Sequence, residues 1–466
     1  MKVLWLCNVM VPMIAEEMNL EATNKEGWIS GLLDVVLKKQ QENGLELSVA
    51  FPAPKIMFTA DHDICMRVIY REGATLTCYG FHEQTGHAEV YDESLEEKMR
   101  KILDAAKPDI VHCFGTEYPH TLAMARICPD KSRLLIGLQG ICSLCAEAYF
   151  ANIPENVIRK VTLRDYLRRD SLAKQQQKFV KRGVAEMEAI TLAGNITGRT
   201  EWDRLCTRKW NQTARYFTMN EILRPEFYQE VRWEADKCIP HSVFVSQGDY
   251  PLKGLHYMLL AMPVILSQYP DATLYVAGNS IVNYKTLKQK LKISGYGKYL
   301  RKLMEENNLS HKVKFMGRLT AEQMRETYLN SSVFVCCSSL ENSPNSLGEA
   351  MLLGMPCVSA DVGGVSSLFA DGEDGILYEG FRIGEKLKGV ENQEEENARQ
   401  LKTVSERLAG AVISMWKDPE KQAQYCQNAR EHARRTHDRE KNYLKLTEIY
   451  AKIVSGKQPE DEKEVL

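Results

Sequence analysis

The sequence predicts an α/β protein made of two Rossmann-like domains, each with a parallel β-sheet that helices cover on both faces. Short apolar runs such as KVLWLC and DIVHCFG alternate with longer amphipathic segments, as strands and helices do in βαβ units. This alternation occurs twice along the chain. The chain has 466 residues, which is too long for one hydrophobic core, so two domains are expected.

The boundaries follow from local composition. The stretch 217–240 is polar, contains prolines and lacks a clear period, which is typical of a linker. We therefore predict an N-terminal Rossmann-like domain over 1–225 and a C-terminal Rossmann-like domain over 226–430. A helix over 431–455 is expected to return to the N-terminal domain. The charged tail 456–466 is expected to be disordered.

Composition limits the classes of function. A net charge of −2 gives no general signature of nucleic-acid binding, so no nucleic-acid partner is expected. The 13 cysteines are scattered, several of them in apolar strand-like runs, which favours buried thiols in a reducing compartment over disulfides. No apolar run has the length of a transmembrane helix. These observations predict a cytoplasmic protein.

One segment, 152–182, departs from the even charge of the chain. Its basic residues outnumber Glu155, Asp165 and Asp170, and are Arg159, Lys160, Arg164, Arg168, Arg169, Lys174, Lys178, Lys181 and Arg182. A solvated helix face is the simpler interpretation. The alternative is a patch that meets anionic lipid or a phosphate-bearing acceptor, which would place the protein peripherally on the inner face of a membrane.

The stretch ENSPNSLGEAMLLGMPCVSADVGG, residues 341–364, follows the strand SVFVCCSS. It therefore begins at the carboxyl edge of a parallel sheet, where ligands bind in open α/β folds. A turn at Pro344 is predicted to lead into a helix that Ser346 caps. Free amides at such a helix N-terminus bind phosphate well. The amides expected to do so are those of Asn345, Ser346 and Leu347.

Two glutamates flank this turn. Carboxylates are poor phosphate ligands but good acceptors for hydroxyl groups, so Glu341 and Glu349 would suit a sugar-bearing nucleotide. The alternative is a capping box, in which Glu349 bonds only the backbone of Ser346. That alternative leaves Glu341 unexplained, and from the residues alone both interpretations stay open.

The stretch from Val313 to Tyr378 resembles the C-terminal signature of the retaining glycosyltransferases of family 4. The resemblance rests on the Glu-x7-Glu pair and on the later DVGG and DGEDGILY. Further matches are GDYPLKG at 248–254, GRTEWDR at 198–204, KPDIVHCFG at 107–115 and EGW at 26–28. The resemblance implies a GT-B fold, whose two parallel sheets face across a cleft that holds the nucleotide-sugar. It also implies that the domain over 1–225 binds the acceptor and that the domain over 226–430 binds the nucleotide-sugar.

The resemblance also implies roles. Lys253 and Glu341 would be catalytic: Lys253 would neutralise the diphosphate leaving group, and Glu341 would contact hydroxyls of the donor sugar. Glu349 would hold the ribose, and the three amides of the predicted helix start would hold the diphosphate. No metal is expected, because the amides and Lys253 supply positive charge where it is needed.

Three departures from the family pattern matter. Gly248 stands where the family usually has an arginine, and Arg199 and Arg318 are candidates to replace that cation; Arg318 could instead lie beside the nucleobase. Gln139 stands where many members have a histidine. It can bond a sugar hydroxyl but cannot titrate near neutral pH. His112, which is taken to end its strand at DIVH, is then the alternative proton carrier.

A last departure concerns the first βα loop, where the family has paired glycines and this chain has Glu26-Gly27. Gly27 would still allow the backbone to approach a substrate closely.

The sequence thus predicts a retaining, metal-independent and cofactor-free glycosyltransferase. Its donor is expected to be a UDP-sugar, with GDP-mannose second. Its acceptor is expected to be a glycan or a lipid-linked glycan of bacterial polysaccharide type. The alternatives are a sugar-nucleotide epimerase or hydrolase on the same fold, or a non-catalytic binding partner with a GT-B-like fold.

Overall fold

The computed structural model describes residues 1–456 except 21–26, 59–62, 72, 283–285 and 384–392. The chain divides into two compact units. The N-terminal unit comprises Met1–Ser143, Lys178–Arg224 and His437–Leu466. The C-terminal unit comprises Leu144–Gln177 and Pro225–Thr436. Each unit contains one sheet, as the sequence predicts, and each is described by itself.

The strands, in chain order, are β1 (Lys2–Cys7), β2 (Glu46–Pro52), β3 (Ile64–Arg71), β4 (Ala74–Phe81), β5 (Ile110–Phe114), β6 (Leu134–Gly137), β7 (Asn195–Gly198), β8 (Arg215–Thr218), β9 (Ile239–Val245), β10 (Thr273–Ala277), β11 (Val313–Gly317), β12 (Ser331–Cys336), β13 (Cys357–Asp361) and β14 (Ile376–Glu379).

The helices are α1 (Pro12–Glu17), α2 (Gly27–Lys38), α3 (Gln40–Asn43), α4 (Ser94–Ala106), α5 (Pro119–Ile127), α6 (Cys142–Ala148), α7 (Glu155–Ile158), α8 (Leu163–Arg168), α9 (Leu172–Leu192), α10 (Glu201–Trp210), α11 (Leu255–Gln268), α12 (Leu287–Lys290), α13 (Gly295–Glu306), α14 (Ala321–Asn330), α15 (Asn345–Leu352), α16 (Gln393–Lys417), α17 (Pro419–Thr436) and α18 (Arg439–Ser455). Among the described residues, no helix is both long and apolar enough to cross a membrane.

The sheet of the N-terminal unit has the order β3-β4-β2-β1-β5-β6-β7-β8. All of its neighbouring pairs are parallel except β3 and β4, which are antiparallel. The central strands β1 and β5 are buried along most of their length, because helices cover both faces of a parallel sheet. This explains why the two strands read as continuous apolar runs.

Helix α18 belongs to the N-terminal unit although it ends the described chain. The indole Nε1 of Trp5, in β1, donates a hydrogen bond of 2.8 Å to the hydroxyl of Tyr450, in α18. Both side chains are fully buried. Residues 457–466, which make up most of the predicted disordered tail, lie outside the described residues.

The sheet of the C-terminal unit has the order β11-β10-β9-β12-β13-β14, and every neighbouring pair is parallel. The carboxyl ends of parallel strands lie at one edge of a sheet. The loops that follow β9, β10, β11 and β12 therefore meet at the same edge, and three of the predicted site segments lie in those loops.

The segment 144–177 departs from the predicted boundaries, because it groups with the C-terminal unit and not with the rest of 1–225. Two buried side chains of α11 hold it there. The imidazole of His256 lies 2.7 Å from the carbonyl oxygen of Ala151, and the hydroxyl of Tyr257 donates to Asn152 at 2.8 Å. These contacts join residues 105 positions apart, which no local sequence pattern reveals.

Candidate functional site

The turn after β9 brings Lys253 to the carboxyl edge of the C-terminal sheet. Pro251–Lys253 form a single 3-10 turn that ends at Gly254, whose φ is +67°. A Cβ at Gly254 would lie 1.8 Å from the carbonyl oxygen of Cys337, so only glycine fits. The amide of Ser339 donates to the carbonyl of Leu252 at 2.8 Å. The turn is thereby fastened to the loop that follows β12.

Lys253 and Glu341 meet directly. The Nζ of Lys253 lies 2.5 Å from the Oε1 of Glu341, and the hydroxyl of Ser338 donates to the same oxygen at 2.6 Å. The side chains of Lys253 and Glu341 are 22% and 14% exposed. Burial disfavours the ammonium, but the charge of Glu341 more than offsets this and raises the pKa of Lys253 above its ordinary value. The sequence did not single out Ser338.

The backbone of Glu341 is fixed by the loop that follows β13. The amide of Gly364 donates to the carbonyl oxygen of Glu341 at 3.0 Å. Gly363 has a φ of +57°, and a Cβ there would lie 2.1 Å from the same oxygen. The DVGG motif thus packs a side-chain-free backbone against the carbonyl group of Glu341 and fixes the backbone that carries its carboxylate.

Helix α15 begins two residues earlier than a cap at Ser346 predicts. Pro344, with extended backbone angles, occupies the N-cap position, and no side chain caps the helix. The prediction that Ser346 caps it is therefore wrong, as is the capping-box alternative for Glu349, since Ser346 already lies within the first turn. The fixed φ of proline favours such a helix start and leaves no hydroxyl to compete for the first amides.

The three amides predicted to bind phosphate differ in whether they already have a hydrogen-bond acceptor. The amide of Leu347 donates to the carbonyl of Pro344 at 2.9 Å. Those of Asn345 and Ser346 have no acceptor among the described residues. The Oδ1 of Asn345 is buried and also without a partner there. Two backbone donors and one buried acceptor are thus available at the start of this eight-residue helix. Glu349, in its second turn, is buried.

A polar network that the sequence did not predict lies at the same sheet edge, toward β11. The Nε of Arg318 donates to the Oδ1 of Asn279 at 2.8 Å, and the amide of Asn279 donates to Asp249 at 3.0 Å. Gln247 donates to the other oxygen of Asp249 at 2.9 Å. Each residue closely follows the end of β9, β10 or β11. The sequence could have indicated this network, because polar residues directly after parallel strands lie at one sheet edge.

Gly248 lies where the family usually has an arginine, and its surroundings explain the difference. A Cβ there would lie 2.5 Å from the Cδ2 of Leu255 and 3.1 Å from a methyl carbon of Val276. A larger side chain would have to displace the side chain of Leu255, so the position cannot supply a cation without local repacking.

Arg199, one candidate to replace that cation, lies in the N-terminal unit and is nearly buried. Its guanidinium forms an ion pair with the buried carboxylate of Glu221. Removing one partner of a buried ion pair destabilises a protein, so Arg199 already has a structural role.

The sequence suggested that His112 ends its strand. His112 instead lies at the centre of β5 and is fully buried. Its Nδ1 lies 2.8 Å from the hydroxyl of Tyr450, and its ring stacks on Phe114. Burial lowers its pKa to about 3. The prediction of His112 as a proton carrier is therefore not supported by its position.

The other N-terminal candidates lie at the expected loops. Gln139 follows β6 and is partly exposed. Gly27 is the first residue of α2, and the side chain of Arg224 packs over it: a Cβ at Gly27 would lie 2.4 Å from the Cδ of Arg224. The close approach to Gly27 is thus made by a side chain of the same unit, and Glu26 lies outside the described residues.

The sequence did not identify an acidic pair formed by Glu117, in the loop after β5, and Glu186, in α9. Glu117 accepts from the amide of Gly140 at 3.1 Å and from the side chain of Asn8 at 2.9 Å. Glu186 is fully buried and accepts from the hydroxyl of Thr116 at 2.6 Å. Burial, with a smaller contribution from the charge of Glu117, raises the pKa of Glu186 to about 7.

Across the part of the chain that the structure describes, no three or more His, Cys, Asp or Glu side chains converge as metal ligands do.

Curated relatives match parts of the chain. An uncharacterized glycosyltransferase of Methanocaldococcus jannaschii is 29% identical over 29% of this chain and 30% of its own length. The D-inositol 3-phosphate glycosyltransferase of Corynebacterium urealyticum is 28% identical over 28% of this chain and 29% of its own. The chain thus spans less than a third of the length of each of these relatives.

Solved structures match nearly the whole chain at low identity. Sucrose-phosphate synthase of Thermosynechococcus elongatus superposes with a TM-score of 0.62 at 15% identity, covering 98% of this chain and 100% of that one. The Anabaena protein HepE, crystallised with UDP-glucose, gives 0.58 at 15% identity, covering 97% and 100%. These likenesses show the GT-B fold that the sequence predicts.

A family profile matches part of the C-terminal unit. The profile described as "Glycosyl transferases group 1" matches residues 240–404, which include β9, the Lys253 turn, β12 and α15. The relatives that match parts of the chain are glycosyltransferases as well. Residues 240–404 therefore match the group 1 glycosyltransferases, within a chain whose fold is GT-B.

Proposed function

We propose that the protein is a retaining glycosyltransferase of family 4, which moves a sugar from a nucleoside-diphosphate sugar to a hydroxyl of a glycan or lipid-linked glycan. The observation that carries the proposal is the arrangement at one sheet edge of the C-terminal unit. Lys253 is paired with Glu341 there, and α15 begins four residues after Glu341 with two amides that have no acceptor in the described part of the chain.

The diphosphate would be bound by the amides of Asn345 and Ser346, where the helix dipole favours negative charge. Lys253 would exchange its bond to Glu341 for one to the phosphate. Glu341, released from the ammonium, would then accept hydrogen bonds from hydroxyls of the donor sugar. Glu349 would accept from the ribose. Each group would thus hold a different part of the donor.

Arg318 would lie toward the nucleobase rather than the diphosphate. Its strand, β11, is two strands away from β9, so the two strand ends are separated by about 10 Å. We propose a UDP-sugar as donor, with GDP-mannose second. In support, the Anabaena protein of similar fold was crystallised with UDP-glucose.

In the proposed reaction, the bond between the anomeric carbon and the phosphate oxygen breaks, and its electron pair passes to the phosphate. The acceptor hydroxyl attacks the anomeric carbon from the same face and gives its proton to the departing phosphate oxygen. Lys253 and the two amides stabilise the charge that develops on the phosphate. No side-chain base and no metal ion is required for this step.

The backbone donors can be tested without changing the fold. Proline is tolerated at the first position of a helix, and residue 344 already has an extended backbone that suits the residue before a proline. Asn345→Pro therefore removes one amide, and Asn345→Ala is the matched control that loses the same side chain and keeps the amide.

We expect Asn345→Pro to weaken the binding of UDP, measured by titration calorimetry, roughly tenfold or more relative to Asn345→Ala, since hydrogen bonds to charged groups contribute about 1.5–3 kcal/mol. Equal affinities in the two variants would show that phosphate does not bind at this amide. Release of UDP that does not depend on an added sugar acceptor would favour the hydrolase alternative.

A further inference from the structure

The outward face of α8 exposes an unusual set of apolar side chains. Tyr166 is 74% exposed, Leu167 is 71% and Leu163 is 52%. They lie at positions i, i+3 and i+4 of the helix, so they share one face. Val161, just before the helix, is also exposed. We call these four residues the α8 face.

The opposite side of α8 is fixed within the C-terminal unit. The buried carboxylate of Asp165 accepts from the amide of Gly295, at the start of α13, at 2.8 Å. The hydroxyl of Thr162 donates to the carbonyl of Ile293 at 2.8 Å, and Thr162 and Asp165 form a capping box. The α8 face is therefore held outward by an anchored helix and does not belong to a loosely packed loop.

Basic side chains surround this face. Lys160, Arg168, Arg169 and Lys174 are exposed, and none has an anionic partner among the described residues. Arg164 differs, because it pairs with Asp165 at 2.9 Å and with Asp170 at 3.5 Å. The positive charge of the segment is thus concentrated at the two ends of the α8 face.

We propose that the α8 face docks on the surface of an anionic membrane. A membrane is inferred because the face combines apolar and basic side chains. The aliphatic and aromatic side chains suit the boundary between headgroups and acyl chains, and the basic residues suit anionic headgroups. A water-soluble anionic glycan would explain the charges but not the exposed Leu163, Tyr166 and Leu167. The proposal deepens the proposed function, because a lipid-linked acceptor would lie at the same surface.

The test uses the full chain and sedimentation with vesicles, and it needs no enzymatic activity. One set of vesicles contains phosphatidylcholine alone, and the other contains about 30% phosphatidylglycerol. We expect binding to the anionic vesicles at least tenfold stronger than to the neutral ones, and weaker at high salt.

Two double variants separate the contributions. Tyr166→Ser with Leu167→Ser should reduce binding to anionic vesicles at least tenfold; the control, Tyr70→Ser with Leu444→Ser, removes an exposed tyrosine and an exposed leucine elsewhere. Arg168→Glu with Arg169→Glu should do the same. Its control, Arg208→Glu with Lys209→Glu, makes the same change in net charge on α10.

Equal binding to neutral and anionic vesicles would overturn the proposal, as would equal losses in the variants and their controls. A concentration-dependent dimer that the Tyr166→Ser and Leu167→Ser variant abolishes, without vesicle binding, would assign the face to a second copy of the chain and would also overturn it. Because vesicle binding is measured without donor or acceptor, failure of the proposed function would leave this result unchanged.

Discussion

The ion pair between Lys253 and Glu341 can be tested in the protein without ligand, by a double-mutant cycle. Lys253→Met removes the charge and keeps most of the apolar stem. Glu341→Gln removes the charge and keeps a side chain that can still accept from Ser338. Each single variant leaves the other partner charged and largely buried, whereas the double variant leaves neither.

The expected loss of stability in the variants follows from the burial of the ion pair. Exposed ion pairs contribute about 0–1 kcal/mol, and breaking a fully buried pair costs about 3–5 kcal/mol. The Lys253–Glu341 pair is closer to the buried limit, with a contact of 2.5 Å and side chains 22% and 14% exposed. We therefore expect each single variant to be destabilised by about 2–3 kcal/mol and the coupling energy to be about 1–3 kcal/mol.

Hydrogen exchange followed by mass spectrometry is the appropriate assay, because it reports the free energy of opening of β9 and β12 separately from the N-terminal unit. Four proteins are compared: wild type, both single variants and the double variant. If the effects of the single variants add to within about 0.5 kcal/mol, the ion pair does not form in solution, and the exchange of partners proposed for Lys253 loses its basis.

Two further predictions concern stability. Burial raises the pKa of Glu186 to about 7, so the folded state binds this proton more tightly than the unfolded state. The free energy of unfolding should therefore fall by up to about 3 kcal/mol as the pH rises from about 4.5 to about 7. Urea titrations should show that Glu186→Gln lacks this decline. A decline that is the same in the variant would exclude Glu186 as its source. Gly254→Ala should lower the melting temperature more than Gly317→Ala. Both glycines have a positive φ, but a carbonyl oxygen occupies the place of the new methyl group only at Gly254. Similar losses in the two alanine variants would show that the Lys253 turn can move away from Cys337.

The repeated βαβ rhythm and the Glu341–Glu349 stretch were sufficient to predict the fold and one edge of the candidate site. Both are local patterns: strands and helices differ in period, and a strand followed by a turn and a helix start places amides at a sheet edge. The pairing of Lys253 with Glu341 was beyond such reasoning, because it depends on a contact across 88 positions.

The errors have physical causes. Ser346 matched a capping pattern, but Pro344 took the cap position because its fixed φ already suits a helix start. His112 was placed at a strand end because DIVH was taken to end the strand, whereas β5 continues to Phe114. The segment 144–177 was assigned by its place in the sequence, but buried hydrogen bonds to His256 and Tyr257 determine where it packs.

The chain passes between the two units at residues 143/144, 177/178, 224/225 and 436/437, and this order has a consequence for biosynthesis. The C-terminal unit has all of its residues once Thr436 has emerged from the ribosome. The N-terminal unit still lacks α18, whose Tyr450 bonds Trp5 in the first strand. The half that is translated first is therefore the half that completes its fold last, because Trp5 in β1 must wait for Tyr450 until α18 has been synthesised.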